Sequence, residues 1–175
     1  MQLYDEGRIK VLEALLAKNA VKPNIQQLKT RTKMHKSTLK SSLAFLEQQG
    51  VVHGYGPKID FRRLGYKLEV TTLMQVDLSQ RELFNKFLDR ARQDPHMYWL
   101  SGLLASSNYN IIARHIYSDV ESFWKHMQEY YYEQIPDLYS LIRDKQIFFT
   151  TEPVYKSESR TKSIIQLIKH ARGME

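Results

Sequence analysis

The chain has 175 residues, with 26 Lys+Arg against 19 Asp+Glu and a formal charge of +7. That length fits one domain or two small ones, and 42% hydrophobic with 26% charged residues is too apolar for a disordered tail. The absence of cysteine excludes a disulfide scaffold, a thiol nucleophile and Cys-ligated zinc or iron–sulfur sites.

No apolar run approaches the ~20 residues of a transmembrane helix. The opening MQLYDEGRIK lacks the charged-then-apolar layout of a signal peptide, so a cytoplasmic address and no membrane partner are expected. The charge is unevenly spread. Residues 1–60 hold ten Lys+Arg and five Asp+Glu, residues 61–156 twelve of each, and residues 157–175 four against two. From Lys22 to Lys40 there are six cations and no acid. A cationic block beside a neutral remainder is the footprint of a polyanion-binding module, and a solvated lysine-rich surface is the plainer alternative.

In chain order, Ile9, Leu12 and Leu16 predict an amphipathic helix over residues 4–18. Pro23 breaks the chain, and Asn24 is placed to cap a short helix through Ile25 and Leu28. After a polar turn, Ser37 is placed to cap a third helix with its apolar stripe at Leu39, Leu43 and Leu46, closed by Gly50. At 100° per residue, Ser37, Lys40, Ser41, Ala44 and Gln48 point away from that stripe.

Small side chains let a helix approach a groove, hydroxyls bond phosphate or base edges, and lysines neutralise phosphate. The pattern therefore predicts a helix-turn-helix over a generic three-helix bundle. Candidate DNA contacts are Arg31, Lys33, His35, Lys36, Ser37, Thr38, Lys40 and Ser41, with His53 and Lys58 in the segment that follows. Residues 51–60 alternate around Gly54-Tyr55-Gly56-Pro57. They read as a small hairpin, which would be a wing on the DNA backbone, or as an extended connector.

The run Leu46-Glu47-Gln48-Gln49-Gly50-Val51-Val52-His53-Gly54-Tyr55, then Ile59-Asp60 and Leu64-Gly65-Tyr66, resembles the Lrp/AsnC (feast/famine) family of transcription regulators. The resemblance runs from Asp5 to about Lys156. Two positions depart from the family pattern: Lys29 stands where a small Ala is usual, and His35 where Ser precedes the third helix. The resemblance implies a DNA-binding domain at 1–60, a ligand-sensing and assembly domain at 61–156, and a tail at 157–175. It also implies pseudo-palindromic operators bound by a homodimer or higher homo-oligomer.

Farther along, residues 67–77 alternate as a half-buried strand, and Leu83, Phe87 and Ala91 mark a helix ended by Asp94-Pro95. Met97–Ala105 and Tyr109–Tyr117 read as strands around Ser106-Ser107-Asn108. A second helix runs from Ser118 or Asp119 to Ile135, and residues 138–151 return as a last strand. The order strand–helix–strand–strand–helix–strand predicts a ferredoxin-like βαββαβ arrangement, making the whole an α+β protein. In the resembling family the central turn carries a Gly-x-x-Asp signature near an effector pocket. Ser107 and Asn110 occupy those two positions, so Ser107, Asn108 and Asn110 are effector-binding candidates. The Asp-to-Asn exchange removes the charge that would pair an ammonium group.

Tyr130-Tyr131-Tyr132 cannot all enter one core, so an edge tyrosine at an assembly contact is expected. In the tail, Ile164, Ile165, Ile168 and Ala171 with Arg160, Lys162, Lys169 and Arg172 form a basic amphipathic helix, expected to dock on its own protein. The six histidines show no metal-ligand spacing and read as surface or edge residues. No nucleophile elbow or phosphate loop is present, and no cofactor or metal is called for.

Two alternatives remain open: an architectural DNA binder of low sequence preference, and an enzyme like the sirohaem decarboxylases that look like Lrp/AsnC regulators. The latter would need basic and His residues at the central turn, which reads Ala105-Ser106-Ser107-Asn108.

Overall fold

The computed structural model of the chain describes residues 6–17, 20–104, 108–151 and 160–173. It divides into two compact units, Met1–Leu64 and Gly65–Glu175.

The first unit holds α1 (Glu6–Leu16), α2 (Ile25–Thr32), α3 (Lys36–Gln48) and a 3-10 turn at Phe61–Leu64. Asn24 caps α2, its side chain accepting from the Gln27 N–H at 3.0 Å. Lys33 ends α2 in the left-handed region at φ 58°, its N–H donating to the Lys29 carbonyl at 2.8 Å. Met34 and His35 then extend, and α3 starts at Lys36 with His35 as a cap that makes no side-chain hydrogen bond. The cap expected at Ser37 is thus displaced. The left-handed Lys33 turns the chain early, and Ser37 becomes the second residue of the helix.

Gly50, at φ 67°, closes α3. Its N–H bonds the Glu47 carbonyl at 3.0 Å and the Val51 N–H the Leu46 carbonyl at 2.9 Å, the paired bonds of a Schellman motif. Residues 51–60 form no strand, so the connector reading applies and the hairpin does not. The Tyr55 hydroxyl donates to Glu47 Oε1 at 3.0 Å, which holds this connector to the end of α3. The core here is thin. Leu39 is buried, whereas Ile9, Val11, Leu15 and Leu16 of α1 are exposed.

The second unit is a sheet of β1 (Leu68–Val76), β2 (Met97–Gly102), β3 (Ile111–Tyr117) and β4 (Ile142–Thr150), in the order β2-β3-β1-β4 with all neighbours antiparallel. On β1 the side chains of Leu68, Val70, Thr72, Met74 and Val76 are buried, while Glu69, Thr71, Leu73 and Gln75 face the other side. The buried face packs under α4 (Arg81–Gln93), α5 (Val120–His126) and α6 (Leu138–Leu141).

Asp119 caps α5 in a reciprocal box with Ser122. The helix then widens into a π-helical stretch, Met127–Tyr132, that buries Tyr131 and leaves Tyr130 and Tyr132 half-buried. The strand expected from residue 138 begins only at Ile142. A left-handed Asp137, at φ 64°, starts a helical turn that buries Leu138 and Leu141, three residues apart. Finally α7 (Arg160–Ala171) forms, with Ile164, Ile165, Leu167 and Ile168 exposed, so the docking expected of the tail is not seen among the described residues.

Candidate nucleic-acid interface

The sequence-expected contacts fall into three places. Arg31 lies on the last turn of α2, Lys33 in the turn, and His35 at the cap. Lys36, Ser37, Thr38, Lys40 and Ser41 occupy the first turns of α3. All of these side chains are exposed. They form one continuous stretch of chain, folded so that the buried Leu39 faces inward between exposed neighbours.

His53 is exposed in the connector beyond Gly50. Lys58 lines a groove with Arg8, Val11 and Leu12 of α1, and so does not join the α3 stretch. A second apolar groove of about 480 Å³ runs between α1 and the connector, lined by Ile9, Leu12, Leu16, Ile59, Phe61 and Leu64.

The electrostatics of the stretch are one-sided. Among the described residues of this unit, ion pairs form between Lys10 and Glu6 at 2.6 Å and between Arg63 and Asp60 at 3.3 Å, both outside the stretch. Lys22, Lys29, Arg31, Lys33, Lys36 and Lys40 make no ion pair with any described residue. The acid of α3, Glu47, lies at the opposite end from the lysines and accepts the Tyr55 hydroxyl. Desolvation and that carboxylate together raise the Tyr55 pKa.

The hydroxyls are partly committed. Ser41 Oγ donates to the Thr38 carbonyl at 3.0 Å, and Thr32 Oγ1 to the Leu28 carbonyl at 2.8 Å. Such local bonds leave the oxygen lone pairs able to accept. Phe45 on α3, absent from the candidate contacts, is exposed as well.

At the second candidate place, Asn110 is drawn into the sheet. Its Oδ1 accepts the Val76 N–H at 2.8 Å and its Nδ2 donates to the Val76 carbonyl at 2.7 Å. Asn108 is exposed, and Ser107 lies outside the described residues. The described residues flanking this connection (Leu103, Leu104, Asn108, Tyr109) offer neither a cation nor an imidazole.

The histidine expectation needs correcting. His115 is buried, and it gathers with His96 and His126 around the buried Asp94. The alternation of β3 carried the signal: Ile111, Ala113, His115 and Tyr117 share the inward face.

No family model matches the sequence, and no curated protein matches it either. Solved structures do match. A transcriptional regulator from Neisseria meningitidis, in complex with L-Met, superposes with a TM-score of 0.62 at 18% identity, covering 89% of this chain and 95% of that one. E. coli AsnC gives 0.61 at 14% identity, over 90% and 99%. B. subtilis LrpC gives 0.59 at 11% identity, over 90% and 100%. The chain has the fold of the AsnC/Lrp transcriptional regulators across most of its length.

Proposed function

We propose that this protein is a DNA-binding transcriptional regulator of the Lrp/AsnC type and not an enzyme. Residues 1–60 are its helix-turn-helix domain, 61–156 its ferredoxin-like assembly domain and 157–175 its basic tail. The observation that carries this reading is the set of lysines on and before α3, exposed and without an ion-pair partner among the described residues. Lysines so placed are free to replace counterions on a phosphate backbone.

Lys33, Lys36 and Lys40 grip phosphate, Ser37, Thr38 and Ser41 face base edges, and Arg31 and His35 flank them. The first-turn amides of α3 lack a side-chain cap, which leaves them to a phosphate oxygen. Two copies present paired α3 helices to major-groove faces about one helical turn, or a multiple of it, apart, which matches a pseudo-palindromic operator.

Assembly through the second unit is supported by the sheet face turned away from α4 and α5, where Trp99 and Phe148 are exposed. An effector at the β2–β3 connection would meet Asn108 and Ser107, since the Asn110 amide is occupied by Val76. The N. meningitidis neighbour is a complex with L-Met. Here the Asn110 position carries no charge for an ammonium group, so the DNA reading stands without an effector.

The test is capture of genomic fragments by the full-length protein, followed by footprinting in the presence of excess random DNA. Protected pseudo-palindromes that survive competition support a sequence-specific regulator. Binding erased by random DNA points to the architectural alternative, and the absence of binding overturns both.

A further inference from the structure

Under the sheet of the second unit, one buried carboxylate, Asp94, lies among His96, His115 and His126. Asp94, which closes α4, has a side chain with no exposure. Its Oδ2 accepts the Tyr131 hydroxyl at 2.7 Å and its Oδ1 accepts the backbone N–H of His96 at 2.8 Å. His126 Nε2, on α5, lies 3.1 Å from the same Oδ1 but is not aligned for a hydrogen bond.

The His96 ring donates from Nδ1 to the Ile116 carbonyl at 2.8 Å. It stacks on Tyr117 at 4.4 Å and 7°, with the His126 ring 4.4 Å away on a tilt. His115, one inward position before Tyr117 on β3, is 2% exposed, and its Nδ1 has no partner. The Tyr117 hydroxyl is equally unpartnered.

We propose that this Asp94–His96–His115–His126 cluster is a proton-operated latch, which holds α5 and its π-helical continuation on the sheet at neutral pH and releases them on acidification. A buried carboxylate compensates one cation. A second protonated imidazole has no counter-charge, and an unpaired buried charge is far costlier than an exposed one.

Among the described residues, the groups facing the cluster offer no further anion. From α4 come Arg90, whose guanidinium lies 4.0 Å from the Tyr130 ring centre, and Asp94 itself. His96 enters before β2, and β3 supplies His115 and Tyr117. The helix contributes His126, stacked on Tyr130 at 4.8 Å, and Tyr131. On β1 the neighbours are Val70 and Thr72, which carry no charge. On β4, Lys145 donates to the Tyr132 hydroxyl and lies 5.7 Å from the Trp124 ring.

Burial pushes the His115 pKa down to about 4, with smaller like-charge contributions from His126 and His96 working against the attraction of Asp94. A histidine so depressed binds its proton only when the packing opens. The latch is therefore fully closed above about pH 6.5 and weakens as pH falls toward 4. The segment that follows His126 is π-helical, a rare form of helix that recurs at functional sites.

Trp124 on α5 reports the event directly. In a full-length Trp99→Phe protein it is the sole tryptophan. Its emission should change reversibly between pH 6.5 and 4, with helical circular dichroism retained and accompanied by proton uptake. His115→Asn should lower the midpoint by about one pH unit and remove about one proton from the uptake.

Flat emission across that range overturns the latch, as does an unshifted midpoint in His115→Asn. If that variant does not fold, histidine ring-proton resonances of the parent decide. His115 titrating together with the Trp124 change supports the latch, and His115 titrating with no Trp124 change overturns it.

Discussion

The Asn110 side chain and the Val76 backbone pair in both directions, Oδ1 accepting from the Val76 N–H and Nδ2 donating to its carbonyl. This doublet works as an extra rung where β1 ends and where its register against β4 shifts between Gln75 and Val76. Asn110→Asp keeps the shape but replaces the donor by a carboxylate oxygen facing the Val76 carbonyl. At pH 7 the loss should be about 1–3 kcal/mol. The folded-state pKa of the new carboxyl is raised, so the unfolded state is the more readily ionised one. The penalty therefore shrinks as pH falls toward 4. Urea denaturation at pH 7 and pH 4.5 checks both the size and the sign. Equal penalties at the two values would contradict the pairing.

Lys33 and Gly50 occupy left-handed backbone at φ 58° and 67°, one with a side chain and one without. An L side chain there costs about 1–2 kcal/mol, partly offset because glycine loses more freedom on folding. Lys33→Gly should therefore stabilise the first unit by up to about 1 kcal/mol, while removing a cation from the proposed DNA contacts. Gly50→Ala should destabilise it by a similar amount, because a Cβ there meets nothing closer than His53 Cε1 at 3.8 Å and only the backbone strain remains. Differential melts of the two variants, read as opposite shifts in Tm, check this.

Tyr131 is buried, and its hydroxyl donates to Asp94 at 2.7 Å. Burial and the adjacent carboxylate hold that hydroxyl neutral by raising its pKa well above the usual tyrosine value. Tyr131→Phe leaves Asp94 Oδ2 without its hydroxyl donor and should cost about 1–3 kcal/mol at pH 7. Denaturant midpoints with an unchanged m-value check it, since a changed m-value would mean the fold itself had altered.

What was legible in the sequence was local. Asn24 caps and Gly50 closes because capping uses atoms three or four residues apart, and β1 announced its buried face by alternation. The four strands and the helices between them followed from periodicity. The start of α3 was misplaced because the conformation of Lys33, not the nature of Ser37, sets it. The helical turn at Leu138–Leu141 was hidden since two leucines three apart also suit an irregular strand.

Clustering was illegible altogether. Asp94, His96, His115 and His126 meet only through β2–β3 pairing and the placement of α5, and no spacing rule encodes that. At the candidate interface, the outward placement of Ser37, Lys40 and Ser41 could be read from the leucine stripe. That its lysines pair with no acid among the described residues required coordinates.

The most direct test is the salt dependence of DNA binding by the full-length protein and its Lys36→Ala and Lys40→Ala variants. Each variant should bind every sequence more weakly and flatten the slope of log K against log salt by about one unit. Parent and variants binding with equal affinity and equal slope at every salt concentration would contradict the placement of α3 on the phosphate backbone.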